Sequence, residues 1–385
     1  MHGTRISGVE DSSSIVPLFD LRVTDDDVAA VSETLRSGWL TMGPRTQAFE
    51  AAFAEHLGVR HAVAVSSATA ALHLAYLAAG VGPGDEVIVP AITFVAGAAA
   101  ARYCGAVPVL ADIVGQHDLG LDPDDLDNRA TERTKAVCAV HYAGYPAAIE
   151  SLRAWCAERS VALIEDAAHS PHLSPVGLAS VYSFFSNKVL SCGEGGLLAT
   201  NDDAVGEVAR LLRSHAMTSG TWDRHLGHAA TYDVVGTGYN YRLDEPRAAL
   251  LSARLPRLQE DIAERRRLVH RYRAALADVP GITLPYDDDA VDRSACYVMP
   301  VMIDDPALRD PLRADLLERH GVQTSVLYPA IHEFTEYRGE QAQPLPRSEH
   351  AARTELTIPL FPHLSDASQD RVISGLIDGL DQLRG

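Results

Sequence analysis

The sequence predicts an α/β protein with a mostly parallel central sheet flanked by helices and a smaller C-terminal α/β domain. Short apolar runs alternate with helical or turn-rich segments along the chain. This alternation implies right-handed crossovers and parallel strands. The 385 residues are enough for two lobes rather than one. In a sheet of this kind, ligands bind at the carboxyl ends of the strands.

The chain divides into three predicted parts. An N-terminal arm covers residues 1–22, and its polar, Ser-rich part as far as Ile15 is expected to be mobile. Residues 23–255 form the large domain, and residues 256–385 form the small C-terminal domain. No internal repeat or low-complexity linker separates them.

The large domain is predicted to begin with a helix and to continue as alternating strands and helices. Thr24 and Asp27 have the spacing of a capping box, and apolar residues follow at helical spacing as far as Gly38. A later helix is expected at residues 91–104, and another at 202–217. Apolar runs predict strands at residues 63–65, 86–89, 107–110, 136–140, 161–164 and 179–185.

The small domain is predicted from one long helix and several shorter elements. The long helix begins near Asp244 and carries an apolar stripe, with a kink expected at Pro256. The elements that follow are a strand at 297–302, a helix at 308–320, a strand at 322–326 and a final helix from about Ser365.

Composition and charge exclude several classes of protein. The formal net charge of -19 argues against nucleic acid or an anionic membrane surface as a partner. The longest apolar stretch, residues 87–101, is too short to span a membrane and contains Pro90. The first 15 residues contain no apolar segment, and the 5 cysteines have no CxxC spacing. We therefore expect a cytoplasmic protein with reduced thiols.

Two strands between residues 161 and 200 deliver charged side chains to one edge of the predicted sheet. One strand ends at Asp166, and the next apolar run leads into Lys188. An unpaired charge at the end of a buried strand is costly. A desolvated lysine amine, however, can form a Schiff base with the aldehyde of pyridoxal 5′-phosphate, while an aspartate keeps the pyridine nitrogen of that cofactor protonated. Lys188 and Asp166 are thus the candidate catalytic residues.

The choice of basic residues strengthens this interpretation of Lys188. Among 33 basic residues, the lysines are Lys135 and Lys188, and the others are arginines. An arginine cannot serve as a neutral nucleophile at ordinary pH. The alternative for Lys188 is a surface lysine that precedes a Gly-rich loop.

The order of three motifs in this region resembles a known family. EDAAHS, SFFSNK and GEGG follow one another as in the DegT/DnrJ/EryC1/StrS family of sugar aminotransferases, a branch of the fold-type I pyridoxal phosphate enzymes. The resemblance covers roughly residues 17 to 380. It implies the fold-type I architecture and a cofactor that cycles through pyridoxamine phosphate, with Lys188 carrying the Schiff base.

A serine- and threonine-rich helix start is a candidate phosphate cradle. Free backbone donors and the helix dipole favour an anion there, although Ser67 and Thr69 also suit an ordinary N-cap. The resemblance places the cofactor phosphate on Ser67, Ala68 and Thr69. The further residues that it assigns to the cofactor are Phe94 on the ring face, His169 near the ring hydroxyl and Ser183 at the phosphate.

Each of these further residues could equally have a purely structural role. Phe94 lies at the first turn of the helix predicted for residues 91–104, where it could simply pack that helix onto the sheet. His169 could be a satisfied loop histidine, and Ser183 a hydroxyl on a strand face.

Three further segments carry expectations from the resemblance. The motif GYNYR places Asn240 at the cofactor phosphate of the partner subunit, so a homodimer with shared active sites is predicted. The loop SGWLTMGP is expected at the substrate entrance, with Trp39, Thr41 and Met42 as candidate substrate residues. An ordinary connection packed by Trp39 explains that loop equally well. His332 is a further substrate candidate, in the segment VLYPAIHEF.

A Gly- and His-rich segment follows residue 217 and raises the question of a metal. It contains His225 and His228, close in sequence to His215. No cysteine or carboxylate lies beside them at ligand spacing, so no metal site is predicted.

The predicted function is transfer of an amino group from glutamate or glutamine to a keto sugar nucleotide. The SGWLTMGP loop resembles family members that aminate C4 more than those that aminate C3, which implies C4 of a 4-keto-6-deoxy sugar attached to dTDP or UDP, in amino-sugar, antibiotic or cell-surface glycan biosynthesis. The alternatives are an aminotransferase for a cyclitol ketone and a dehydratase-like relative, in which histidine usually replaces the lysine. A dinucleotide-binding protein is disfavoured because no GxGxxG follows a strand.

Overall fold

The computed structural model describes residues 15–227, 230–339 and 343–384. Most of the predicted arm and His228 therefore lie outside the described residues. Among the residues that are described, no helix is both long and apolar enough to cross a membrane.

The large domain is built on a seven-stranded sheet with helices on both faces, and two further strands form a separate two-stranded sheet. Its strands are β1 (His61–Val65), β2 (Glu86–Pro90), β3 (Val107–Ala111), β4 (Ile113–Gly115), β5 (Asp118–Leu121), β6 (Thr134–Val140), β7 (Ala162–Asp166), β8 (Ala179–Ser183) and β9 (Gly196–Thr200). Its helices are α1 (Asp25–Ser37), α2 (Pro44–Leu57), α3 (Ala68–Ala78), α4 (Ala96–Tyr103), α5 (Leu126–Arg129), α6 (Ile149–Arg159), α7 (Asp203–Arg213), α8 (Thr221–His225) and α9 (Glu245–Arg254).

The seven-stranded sheet has the order β1-β9-β8-β7-β6-β2-β3. The strands from β8 to β3 pair in parallel, whereas β9 runs antiparallel to both β1 and β8. Alternate residues of each strand face opposite helix layers. Val87 and Val89 pack into the core that contains α3 and α4, and Ile88 packs into the core that contains α6. The mostly parallel sheet flanked by helices is confirmed.

The small domain is an antiparallel three-stranded sheet covered by helices. Its strands are β10 (Ile282–Thr283), β11 (Met299–Ile303) and β12 (Glu355–Ile358), in the order β10-β11-β12. Its helices are α10 (Leu258–Leu276), α11 (Asp288–Arg293), α12 (Pro306–Glu318), α13 (Pro346–Thr354) and α14 (Asp366–Arg384). The turn Leu255–Arg257, which contains Pro256, separates α9 from α10 where the kink was predicted.

The predicted start of the first helix is confirmed, but its buried face is polar. Thr24 and Asp27 form the capping box, and Gly38 ends α1 in the left-handed conformation. The buried Asp27 accepts hydrogen bonds from Arg254 and Arg257. The apolar residues at helical spacing include Val28 and Leu35, each 55% exposed.

Two predicted elements differ from the structure. The helix predicted for 91–104 begins only at Ala96. The preceding residues are held elsewhere, because Ala91 N–H donates a hydrogen bond to the Ala111 carbonyl and Ile92 forms a β-bridge with Ala330. Phe94 therefore precedes the helix instead of lying in its first turn.

The strand predicted for 322–326 is also wrong, since residue pairs there form isolated bridges rather than a regular strand. Val322 bridges to Val16, and Ser325 bridges to Thr357. Further along, the main-chain N–H of Leu327 donates a hydrogen bond to the Glu355 side chain at 2.8 Å instead of to a neighbouring strand. Val16 is buried, so this part of the predicted arm lies against the small domain.

A buried carboxylate fixes the loop that precedes α2. The Glu245 side chain accepts hydrogen bonds from the main-chain N–H groups of Gly43, Arg45 and Thr46 at 2.8 to 2.9 Å. It also accepts a hydrogen bond from the Thr46 hydroxyl at 2.8 Å. Glu245 therefore supplies the cap that Gly43, which has no side chain, cannot give to α2.

Replacing Glu245 with alanine should lower the free energy of unfolding by about 3 kcal/mol, because several buried donors lose a charged acceptor at once. Urea unfolding measures the change, and the midpoint should fall at an unchanged slope. The matched control is Glu207→Ala, since Glu207 is exposed on α7 and its loss should change stability by less than about 0.5 kcal/mol. Equal midpoints for the two variants would show that the loop is held by other contacts.

Candidate active site

A cavity of about 520 Å³ opens at the carboxyl ends of the parallel strands. Val140, Asp166 and Ser183 line it from the ends of β6, β7 and β8, and Tyr297 and Thr357 line it from the small domain. Every residue predicted to bind the cofactor lines this cavity except Asn240. The predicted position of the site at the strand ends is thus where the structure has its large cavity.

Lys188 lies in the turn after β8, and its charge is disfavoured by its surroundings. Burial of the amine lowers the pKa of Lys188 to about 7, against the opposing effect of the Asp166 charge. The Lys188 Nζ atom lies 4.1 Å from the centre of the Tyr297 ring. An amine with this pKa is partly neutral near pH 7, and a neutral amine is a nucleophile.

Asp166 is a buried carboxylate at the end of β7. Burial raises the pKa of Asp166, while a hydrogen bond from Ala168 N–H at 3.0 Å and the charge of Lys188 lower it. The effect of burial on the pKa of Asp166 is thus larger than the opposing effects of Ala168 and Lys188. A second positive charge, such as a protonated pyridine nitrogen, would stabilise the ionised carboxylate in this cavity.

His169 has one satisfied and one free ring nitrogen. Its Nε2 atom lies 3.0 Å from the hydroxyl of Tyr328, and its ring stacks on Tyr297 at 4.3 Å between centroids. Its buried Nδ1 atom has no hydrogen-bond partner among the described residues. Burial, with the charges of Lys188 and His141, holds the pKa of His169 well below its usual value. A neutral imidazole with a free nitrogen could bind a ligand hydroxyl.

The start of α3 forms a narrow cradle. Ser67 caps the helix, and its hydroxyl accepts a hydrogen bond from Ala70 N–H at 3.1 Å. A Cβ atom on Gly196 would lie 2.3 Å from the carbonyl carbon of Ser67, so β9 approaches this turn as only glycine allows. With Thr69 and Ser183 also lining the cavity, these groups could hold a phosphate at the helix N-terminus.

A second polar pair lies behind the cavity. His141 Nδ1 accepts the main-chain N–H of Ala147 at 3.1 Å, so the hydrogen of a neutral ring is on Nε2, which faces Glu165 at 3.2 Å. Glu165 also accepts from the N–H groups of Val176 and Gly177 at 2.7 Å each. Burial opposes the charge of Glu165, yet the hydrogen bonds from His141 and these amides hold its pKa below the usual value.

Several residues that line the cavity were not predicted from the sequence. Tyr297, Tyr328 and Asn187 line the cavity, and the buried Oδ1 of Asn187 has no partner among the residues that the structure describes. Gly196 could have been suspected from the GEGG motif. The tyrosines carry no local signal, because each lies more than a hundred residues beyond Lys188.

Five predicted residues lie away from the cavity of a single chain, and their roles stay predictions. Trp39 packs against Trp222 and His225, each at 4.7 Å between ring centroids. The remaining residues of this group are Thr41, Met42, Asn240, which is exposed, and His332, whose Nε2 lies 3.5 Å from Glu349. Across the described ranges, no three potential ligands cluster in a way that could hold a metal ion.

The fold and the cavity define the protein as a pyridoxal phosphate-dependent aminotransferase of fold-type I. The model of the DegT/DnrJ/EryC1/StrS aminotransferase family matches residues 22–377, and the chain belongs to this family.

Known relatives match along almost the whole chain. Spore coat polysaccharide biosynthesis protein SpsC of Bacillus subtilis is 34% identical over 367 residues, which is 92% of this chain and 94% of SpsC. The crystal structure of the aminotransferase TlmJ from Streptoalloteichus hindustanus is 35% identical, with a TM-score of 0.88 over 96% of this chain and 100% of TlmJ. NtdA from Bacillus subtilis, solved with bound cofactor PMP, is 28% identical, with a TM-score of 0.85 over 94% of this chain and 83% of NtdA.

The depressed pKa of Lys188 gives a testable pH dependence. Because only the neutral amine attacks an aldehyde, cofactor-free protein should react with pyridoxal phosphate faster as the pH rises through about 7, by about tenfold per pH unit below that value, and level off above it. Stopped-flow absorbance of the lysine-bound cofactor measures the rate.

Two variants complete the pH experiment. Lys188→Ala should give no such absorbance, whereas replacing the chain's other lysine, the exposed Lys135, with alanine should change nothing. A rate that rises only above about pH 9, or an absorbance that survives in Lys188→Ala, would contradict the assignment.

Proposed function

We propose that the protein transfers an amino group from glutamate or glutamine to a keto sugar nucleotide, at C4 of a 4-keto-6-deoxy sugar attached to dTDP or UDP. The observation that carries this proposal is the amine of Lys188, with a pKa of about 7, in a cavity of about 520 Å³ that also contains Asp166. Membership of the aminotransferase family and the similarity to SpsC, a polysaccharide biosynthesis protein, support it.

The cavity residues fit pyridoxal phosphate group by group. Its phosphate is assigned to Ser67, Ala68, Thr69 and Ser183, at the positively charged end of the α3 dipole. The pyridine nitrogen is assigned to the buried Asp166, and the ring hydroxyl to the free Nδ1 of His169. Phe94 is 56% exposed in a single chain and lines the cavity, so it is assigned to the ring face rather than to helix packing.

The proposed roles of the protein groups follow from these positions. When bound, the cofactor supplies an aldehyde that takes up amino groups and a ring that delocalises negative charge. Asp166 holds the proton on the ring nitrogen. The amine of Lys188 would move a proton between the α-carbon of the donor and C4′ of the cofactor, and would move it in the opposite direction when the keto sugar is aminated. The face of the Tyr297 ring stabilises the Lys188 ammonium while it carries that proton.

We also propose that two chains share each active site. Asn240 is exposed and outside the cavity, and the neighbouring loop that carries Trp39 is likewise away from it. The exposed apolar residues Val28 and Leu35 of α1 are suited to a subunit contact. In such a homodimer Asn240 reaches the cofactor phosphate of the partner subunit.

The substrate class can be tested with the protein loaded with pyridoxamine phosphate. Mixing it with 4-keto-6-deoxy sugar nucleotides should restore the absorbance of the lysine-bound cofactor and give an amino sugar by mass spectrometry, while 3-keto isomers and keto-cyclitols should react much more slowly. Lys188→Ala is the control and should give no return of absorbance. Preference for a keto-cyclitol, or no reaction with any sugar nucleotide, would refute the proposal.

The shared site predicts complementation between two weak variants. A heterodimer of Lys188→Ala and Asn240→Ala chains has both lesions in one site and leaves the other site whole. Activity should therefore reappear after subunit exchange, to about a quarter of the parent value if exchange is random, because half of the dimers then hold one whole site. Mass spectrometry verifies the exchange, and no recovery despite exchange would show that Asn240 does not act across subunits.

A further inference from the structure

A buried carboxylate organises the small-domain wall of the cavity. Glu355 begins β12 and is fully buried. Its Oε2 atom accepts the main-chain N–H of Leu327 at 2.8 Å, and its Oε1 atom accepts the hydroxyl hydrogen of Thr357. Leu327 and Thr357 line the cavity, whereas Glu355 does not. The carboxylate therefore acts on the cavity through these two neighbours.

The backbone around Thr357 is fixed, so its hydroxyl has little freedom to move away. Thr357 N–H donates to the carbonyl of Ser325 at 2.7 Å, and Ser325 N–H donates back to the carbonyl of Thr357 at 3.1 Å. With its single hydrogen donated to Glu355, the Thr357 hydroxyl has only lone pairs for a further contact. A ligand in the cavity that reaches this hydroxyl would therefore meet an acceptor and not a donor.

Among the described residues, no cationic side chain donates a hydrogen bond to the Glu355 carboxylate. Arg309 Nη1 donates to the main-chain carbonyls of Glu355 and Ala352, at 3.1 and 3.3 Å, and not to the carboxylate. The hydroxyls of Tyr142 and Tyr328 are the other titratable groups that face it. Burial raises the pKa of Glu355 to about 7, against the hydrogen bonds from Thr357 and Leu327 and the charge of Arg309. A buried acid of this kind is costly where it serves only to pin a backbone amide.

We propose that Glu355 orients the Thr357 hydroxyl so that Thr357 accepts a hydrogen bond from a hydroxyl group of the keto sugar. Thr357 is then a specificity-determining residue, and Glu355 is the residue that positions it. This inference rests on the proposed function, because it assigns a hydroxylated substrate to the same cavity. It selects against substrates that carry an acceptor-only group, such as a methoxy or fluoro substituent, at that carbon.

Protonation of Glu355 should reverse this preference. A protonated carboxyl can donate to the Thr357 oxygen, and the Thr357 hydrogen is then free to point into the cavity. The KM for the keto sugar should therefore rise as the pH falls through about 7, while replacement of Glu355 by glutamine, whose amide cannot titrate, should remove that pH dependence.

The test compares Glu355→Gln, Thr357→Val and Thr357→Ser with the parent enzyme. Each is assayed with an accepted keto sugar nucleotide and with its set of single fluoro- and methoxy-substituted analogues. For the parent, one position should show a loss of kcat/KM of about tenfold or more, carried mainly by KM. Glu355→Gln and Thr357→Val should lose most of that discrimination, and Thr357→Ser, which keeps the hydroxyl, should retain it.

Two further outcomes separate this inference from the proposed function. If the parent accepts keto sugars but Glu355→Gln and Thr357→Val keep its discrimination and its pH profile, Glu355 is only structural and the inference is refuted. If the parent accepts no keto sugar while glutamate still converts its cofactor, the proposed function fails and the inference falls with it. Should Glu355→Gln not fold, the comparison of Thr357→Val with Thr357→Ser still decides the matter.

Discussion

The burial of Lys188 beside Asp166 is the constraint on which the rest of the structure depends. Charges of either sign are costly when they are buried, and burial lowers the pKa of Lys188 to about 7. The topology of the sheet determines where Lys188 lies. Because β9 runs antiparallel to β8, the chain returns through the loop at residues 184–195 instead of a crossover helix, and Lys188 lies in that loop. Hydrogen bonds between Phe184 and Gly195 and between Cys192 and Phe184 close the base of the loop.

The alternation of a β-strand separates two acidic neighbours into different environments. Glu165 and Asp166 are adjacent on β7, so their side chains point to opposite faces of the sheet. Glu165 receives hydrogen bonds from His141 and two amides, and its pKa is lowered. Asp166 receives one from Ala168, and its pKa is raised. Only the less satisfied of the two carboxylates faces the cavity, where a bound cation could stabilise it.

The small domain completes the cavity rather than merely covering it. Tyr297 lies next to Lys188 and stacks on the ring of His169. The hydroxyl of Tyr328 forms a hydrogen bond with the Nε2 atom of the same histidine. These contacts leave the Nδ1 atom of His169 as the free polar atom of the ring. Leu18 and Phe19, from the segment before α1, also line the cavity. The site therefore depends on how three distant parts of the chain pack together.

Local patterns in the sequence were sufficient to predict several elements and the residue types at the strand ends. The capping box of Thr24, the break at Pro256 and the position of Lys188 after a buried strand depend on residues close together in the chain, and such patterns leave a periodic or motif signal. The family resemblance added further predicted cofactor residues, and all of them except Asn240 line the cavity. Only the tertiary structure decided the positions of Tyr297, Tyr328 and the Glu355–Thr357 pair, and it alone replaced the predicted strand at 322–326 by a cavity wall. Each of these features depends on hydrogen bonds or ring contacts. Some of these join elements that are far apart in the chain, and others join a side chain to the main chain at the edge of a strand. Such contacts have no fixed spacing in a sequence.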